Sequence, residues 1–426
     1  MRTLSTEARA TVIGHNRRVT ERRESLVSGR LLLAFACTLL VAGITNTFPV
    51  FFPPLLVEFG GSRAATASTI TLIWIGGAVL GPVAGWAVTR WDPRAVVIPG
   101  LLAATLGFGL GATADSLPMF TLAVGIGAGI GVGLTGMIAQ AALLADVYVR
   151  RRGVAMGIAF SGAMAGYGLA PPCQWAITHF GWRAALGGYV VLVAALVPLA
   201  WTVLPARLHA AGPGATARLD RDGPTVRSVV RSAPFWLLLI VLTTPPLFGG
   251  LATTQHTLYL TERGFSADTA SVLLGIGGVL AASGRVLFGL MADRVGAPTA
   301  GFVSLGFTFL GLVGLLGLEA WPVPLLAYGY TLFLFLPMGS RATIGAVLVG
   351  RIAPPALYGV VFGLLGIGNS LGSALGPFLA GALHDWTGSY ALIYACAIGL
   401  LAVAVTALAA FCLVAPGMTG VRHSAG

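Results

Sequence analysis

The chain contains no lysine; every one of its 25 basic residues is arginine. Acidic residues are scarcer still, 14 in 426, and only 9% of the sequence is charged. Soluble domains carry about a quarter charged residues, so a water-soluble globular fold is excluded. Cysteine is sparse too. Cys37, Cys173, Cys396 and Cys412 stand singly inside apolar runs without metal-type spacing, so neither a disulfide nor a metal site is expected. No clustered nucleophile, acid/base pair or metal set appears, which argues against an enzyme. Glycine-rich runs such as Gly125 to Gly133 lie in apolar stretches with no strand before them, so they are no nucleotide fingerprint and no cofactor is expected.

What is abundant is apolar length. Hydrophobic residues make up 56% of the chain, and runs of about 20 recur from residue 31 to 416, long enough to cross a hydrocarbon core. Spans are placed at 31–56, 66–89, 94–114, 117–147, 153–178, 182–204, 234–259, 267–292, 297–317, 322–349, 356–383 and 388–415. The fold class is therefore an all-α polytopic membrane protein of twelve transmembrane helices.

A net charge of +11 taken alone is that of a nucleic-acid binder, but the placement of the arginines decides otherwise. Alternate loops hold twenty of them: seven in residues 1–30, then Arg90, Arg94, Arg150 to Arg152, five from Arg207 to Arg231, Arg294, Arg351 and Arg422. The opposite side holds Arg63, Arg183 and Arg263. By the positive-inside rule the protein is multi-pass in the plasma (inner) membrane with both termini cytoplasmic. Its partner is the lipid bilayer, not nucleic acid.

A polar segment divides the spans evenly. The organisation read from composition is a basic cytoplasmic tail at 1–30, a first six-helix half at 31–204, a cytoplasmic central loop at 205–233, a second six-helix half at 234–415 and a tail at 416–426. Arg22-Arg23 ahead of the first run faintly resembles an export signal, but the run is too long and eleven spans follow, so it reads as an anchor. Glu58-Phe-Gly60 recurs as Glu262-Arg-Gly264, and Gly85 and Arg90 recur as Gly289 and Arg294 at the same offset. Gly153, Gly157, Gly162, Gly166 and Pro171 recur as Gly359, Gly363, Gly368, Gly372 and Pro377. The halves are one duplicated unit, pseudo-symmetric about an axis along the membrane normal, and a site is expected between them near the midplane. Pro171-Pro172 and Pro377 are expected to mark matching bends.

Two arginines remain, Arg285 and Arg341, and both lie within spans. Arg285 stands eight residues before Asp293, about 12 Å below the surface at ~1.5 Å per residue. A cation near a helix centre costs roughly 2.5–3.5 kcal/mol on translocon scales and marks a functional site by default. For Arg285 the competing reading is a gate residue paired with a helix carboxyl end. For Arg341 it is an early end to the tenth span at Pro337 and Gly339, with the side chain snorkelling to the cytoplasm. The only acidic residue in a span interior is Asp146, four residues before Arg150, where it pairs most simply with that arginine. Two buried cations without buried anions describe a site for an anionic substrate.

Several stretches carry a resemblance. Gly289-Leu-Met-Ala-Asp293-Arg294-Val-Gly296 fits the signature loop of the major facilitator superfamily. Arg152-Gly153 to Gly157, Gly181-Trp182-Arg183, Phe51-Phe52-Pro53-Pro54 with Glu58 to Arg63, and Gly376-Pro377 to Tyr390 resemble its monocarboxylate-transporter-like and oxalate:formate-antiporter-like branch over residues 31–415. The resemblance implies transport, with Arg285 meeting the substrate carboxylate and Gly85, Arg90, Asp92, Gly289, Asp293, Arg294 and Gly296 forming the two inner gating loops. The chain departs from the family in places. The first-half signature has Thr89 where the family has aspartate and Asp92 where it closes with glycine. The family's aspartate four residues before the eighth-span arginine is Ala281, and its first-span lysine is missing, so a proton route through that pair lacks both groups.

Polar residues that could share the cavity are Asn46, Thr47, Gln140, Tyr167, Gln255, His256, Tyr328, Tyr330 and Asn369. Each alone has a competing role bonding a neighbouring helix. His256 can carry a proton near neutral pH but lies near the outer end of its span, where it can face water. The expectation is a monomeric secondary active transporter that moves a small organic anion, a mono- or dicarboxylate, by alternating access, with a proton or counter-substrate as coupling partner. Its substrate is held by Arg285 and Arg341 with Asn46, Gln140, Tyr167, His256 and Asn369. The alternatives are a drug or metabolite exporter of the same fold and a non-transporting membrane sensor or enzyme.

Overall fold

A computed structural model describes residues 28–148, 152–206, 225–354 and 357–414. Most of the two tails and of the central loop, and Arg150 with its expected link to Asp146, lie outside those residues. Among the described residues there are no strands. Eleven helical stretches are long and apolar enough to cross a membrane. They are α1 (Gly29–Val50), α2 (Arg63–Arg90), α3 (Arg94–Ala112), α4 (Leu117–Ala145), a 51-residue stretch from Gly153 to Val203, α7 (Ala233–Glu262), α8 (Ala267–Val295), α9 (Ala297–Ala320), α10 (Pro324–Ile352), α11 (Tyr358–Thr387) and α12 (Ala391–Val414). The 51-residue stretch reverses at Gly181, whose φ of 82° and ψ of 161° no helix tolerates. It is thus two passes, α5 (153–180) and α6 (182–203), and the twelve expected crossings are present. Only glycine adopts that φ without strain, which is why the turn sits there.

Local chemistry explains the boundaries. The hydroxyls of Ser62, Ser116 and Ser266 cap α2, α4 and α8, accepting from the backbone N–H of Ala65, Met119 and Thr269 at 3.1, 3.4 and 3.1 Å. Gly296 joins α8 to α9 at φ 90°. Several spans are broken in mid-membrane. A π turn at Thr38–Ala42 and a 3₁₀ turn at Phe48–Val50 interrupt α1, and the chain continues as a short helix, Phe52–Phe59. The 3₁₀ turn Gly166–Leu169 precedes Pro171, and Leu336–Gly339 holds Pro337, consistent with proline's inability to donate to the helical ladder. At Pro377 the helical assignment of α11 is continuous.

Small residues let the backbones touch. A Cβ on Gly284 would overlap the Leu336 carbonyl, and one on Gly339 would overlap that of Ala281, so α8 lies directly on the broken turn of α10. The halves meet along two seams, α2 with α11 and α5 with α8.

The seams close at one end only. At the start of α2 the backbone N–H groups of Arg63 and Ala64 donate to the Asp385 carboxylate at 3.0 and 2.9 Å. The Arg63 guanidinium reaches Glu262 at 2.6 Å, Gln255 Oε1 at 3.3 Å and the Tyr390 hydroxyl. Midway, Thr71 Oγ1 donates to Ala374 O at 2.7 Å. At the opposite end, among the described residues, no hydrogen bond joins the halves, and Gly153, Gly157, Gly359 and Gly363 face open space. Asp146, near that end, accepts from Arg30 at 2.7 Å within its own half.

Candidate functional site

Between the halves, on the inner side of the Arg63 closure, lies a cavity of about 100 Å³. The first half contributes Thr45, Asn46 and Pro49 from α1, Ile70 and Trp74 from α2, and Tyr167 from the broken turn of α5. The second contributes Pro246, Gly250, Thr253 and Thr254 from α7, Met338 from α10, and Ser373 and Pro377 from α11. No charged residue lines it.

Arg341 stands just behind this wall. Its Nη1 and the Met338 methyl both lie within 4 Å of the point a Cβ on Gly249 would occupy. The side chain is half-buried and tied to neighbouring helices. It donates to Pro245 O and to Thr308 Oγ1, both at 3.2 Å, and its guanidinium lies 4.8 Å from the centre of the Phe248 ring. The snorkelling alternative is corrected accordingly: α10 resumes after its 3₁₀ turn and carries Arg341 against α7 and α9, three turns before Arg351. All of its acceptors are neutral. Arg285 is half-buried on α8, and its backbone nitrogen lies beside Gly339, two residues before Arg341. Its guanidinium makes no hydrogen bond among the described residues, so the alternative pairing with a helix carboxyl end is not seen. The Nε atoms of both arginines are shielded from solvent and lack a partner. An unpaired guanidinium in an apolar bundle presents planar paired donors of the kind a carboxylate fits.

The polar candidates divide. Asn46 and Tyr167 line the cavity; Asn46 Nδ2 donates to Ala163 O at 2.7 Å, and the Tyr167 hydroxyl lies 3.8 Å from Met338 Sδ. Asn369 is exposed one turn from Ser373 on the same face of α11, towards the open end. Gln140 is buried away from the cavity, its Nε2 donating to Thr135 O at 3.0 Å across the interruption in α4. His256, expected near water, is 2% exposed. Its Nε2 lies 3.0 Å from Ala270 O, and its Nδ1 lies 2.9 Å from the Tyr330 hydroxyl, so it brackets α7, α8 and α10 outside the cavity wall. A carbonyl only accepts, so Nε2 carries the proton and Nδ1 accepts from Tyr330. Thr47 is spent on Gly166 O at 2.9 Å.

The gating residues lie at the open end. Arg90, Asp293 and Arg294 are exposed, and Arg90 rests on the Trp86 ring at 5.0 Å. Asp92 Oδ1 accepts from the Arg94 backbone N–H at 2.8 Å and so starts α3. Gly85 packs on Ile138, and Gly289 faces Thr343.

Sequence reading missed Thr45, Thr253, Thr254 and Ser373, because hydroxyl residues in spans ordinarily bond their own helix. It also missed the closure by Arg63, although Glu262 and the Asp385 to Tyr390 stretch had both stood out as motif positions. Repeat and motif spacing locate such residues along the chain but not across the seam.

Comparison with known proteins agrees with this architecture. The model of the Major Facilitator Superfamily matches residues 33–342. Monocarboxylate transporter 13 of Bos taurus is 30% identical over 410 residues, covering 91% of this chain and 90% of its own length. Monocarboxylate transporter 11 of Homo sapiens is 30% identical over 385 residues, covering 84% and 77%. Among solved structures, a D-xylose-proton symporter superposes with a TM-score of 0.75 at 18% identity, covering 92% of this chain and 98% of its own. A nucleoside transporter superposes at 0.73 and 13% identity, covering 90% and 100%. These two likenesses show the fold alone. Family model, relatives and fold agree: this chain is a monocarboxylate-transporter-like member of the Major Facilitator Superfamily, a transporter and not an enzyme.

Proposed function

We propose that the protein is a secondary active transporter of a small organic anion, a mono- or dicarboxylate, working by alternating access in the plasma (inner) membrane. The observation that carries the reading is the pair of span arginines, Arg285 and Arg341, adjacent through Gly339 and, among the described residues, without an anion beside either guanidinium. A buried cation left unpaired is costly, so an arriving carboxylate relieves that cost while binding. The similarity to monocarboxylate transporters supports the same substrate class. The positive-inside distribution of arginines makes the open end cytoplasmic, so the conformation described here faces inward. Asn46 and Tyr167 line the cavity, and Asn369 stands between it and the open end. The loops at Gly85 to Asp92 and Gly289 to Gly296 approach one another when the open end closes. Coupling is to a proton or a counter-substrate.

The test is counterflow in proteoliposomes loaded with single unlabelled anions, from formate and lactate to oxalate and succinate. Counterflow needs no driving ion, so it separates binding and exchange from coupling. Accumulation of label with carboxylates is the expected result. Silence across the panel from folded protein, with exchange of uncharged amphipathic compounds, would replace this reading with that of an exporter.

A further inference from the structure

The polar groups around the central cavity have nearly all given their hydrogens away. Thr45 Oγ1 donates to Ala42 O at 2.8 Å, Thr253 Oγ1 to Gly249 O at 2.8 Å, and Ser373 Oγ to Asn369 O at 3.0 Å. The direction of these three bonds is fixed, because a backbone carbonyl can only accept. One Asn46 amide N–H is turned to Ala163 O, which leaves its oxygen and its second N–H, and the Tyr167 hydroxyl is directed at the Met338 sulfur. What these five side chains offer a ligand is mainly oxygen lone pairs. The second Asn46 N–H, with Thr254 and Trp74 among the lining residues, supplies the remaining donors. A cavity so lined has an excess of acceptors, while the arginines that supply strong donors stand behind Met338, towards the open end.

We infer that the uncharged part of the substrate is itself a hydrogen-bond donor, so the transporter prefers hydroxycarboxylates to oxocarboxylates of the same carbon skeleton. The inference rests on the carboxylate reading above and adds what the other end of the molecule must be. A ketone oxygen loses its water and must compete for the few donors, whereas a hydroxyl can donate to any of the more numerous acceptors. The volume of about 100 Å³ restricts that end to a few carbon atoms. All such acids are fully ionised at neutral pH, so the arginine contacts cancel between matched partners and the cavity alone discriminates.

The experiment is competition of counterflow by two matched pairs, lactate with pyruvate and 2-hydroxybutyrate with 2-oxobutyrate, in the full-length protein and in Thr253→Val and Ser373→Ala. The wild type is expected to bind each hydroxy acid about three- to tenfold more tightly than its oxo partner, the worth of one net hydrogen bond. In either variant that ratio falls towards one. Because the ratio is internal to each preparation, a lower yield of folded variant does not change it. Equal binding, or preference for the oxo acids, would overturn the inference while leaving the carboxylate site standing. A preference that survives both substitutions would overturn it as well, since the discrimination would then arise elsewhere. If none of the four acids competes and the protein is folded, the carboxylate reading fails, and this inference fails with it.

Discussion

Arg63 and Glu262 belong to opposite halves of the bundle, and their side chains meet at 2.6 Å. Glu262 is the repeat counterpart of Glu58, yet Glu58 pairs within its own half, with Arg183 and Trp182. The same repeat position thus serves a pair within one half and a bond across the seam in the other. That bond must break whenever the outer end opens. Glu262→Gln is expected to raise the outward-open population about two- to fivefold, the effect of losing a partly exposed ion pair. Labelling of a cysteine placed at Thr254 by a membrane-impermeant reagent from the Arg63 side reads this directly. An unchanged labelling rate would remove the pair from the closure.

Arg285→Ala is expected to lower transport about a hundredfold or more while leaving the melting temperature unchanged or raised. A structural arginine would behave oppositely, because its loss would leave a broken ion pair behind. Arg285→Lys keeps the charge without the planar fork and should recover only a small part of the activity. Transport kinetics and detergent melting curves on the same preparations separate the two roles.

Arg341→Met should likewise fold. The substitution removes a cation whose acceptors, Pro245 O and Thr308 Oγ1, are neutral. Uptake is expected to fall at least about tenfold, the scale of a lost charge-assisted hydrogen bond to the substrate. Full activity in this variant would confine anion binding to Arg285.

His256→Phe removes both bonds of the bracket between Ala270 O and the Tyr330 hydroxyl. Ala270 O keeps its acceptor role in the α8 ladder, so the loss is that of the Tyr330 hydroxyl's partner, and the destabilisation should be about 1–3 kcal/mol. In His256→Asn the pH profile of transport should keep the wild-type shape, since the ring is spent on structure. A shifted profile would instead make His256 a proton carrier.

Glu58 gives a pH dependence with a defined sign. Hydrogen bonds from Trp182 and then Arg183 hold its carboxyl below the ordinary glutamate value. A carboxylate depressed in the folded state adds stability that is fully present above its unfolded pKa and is lost as pH falls through the folded one. The wild type should therefore be more stable than Glu58→Gln at neutral pH, and the difference should shrink as pH falls below the ordinary glutamate value. The group is more than a third exposed, so the difference will be small. Melting curves of both proteins between pH 7 and 3.5 measure it.

The class, the twelve crossings, the duplication and the two span arginines were legible in the chain alone. Apolar length, glycine spacing and charge sign are properties of the chain whatever its partners. Packing supplied the rest. The sequence left Arg341 between cavity and surface, because a Pro-Gly break permits both outcomes; only contact with α7 and α9 places it inside. His256 had the chemistry of a proton carrier and proved to be a bracket between three helices. The hydroxyls of Thr45, Thr253 and Ser373 are unremarkable in sequence. They acquire meaning when two halves bring them to one cavity with their hydrogens already donated. Which side chains meet across a seam depends on how two pseudo-symmetric bundles pack, and no local pattern encodes that.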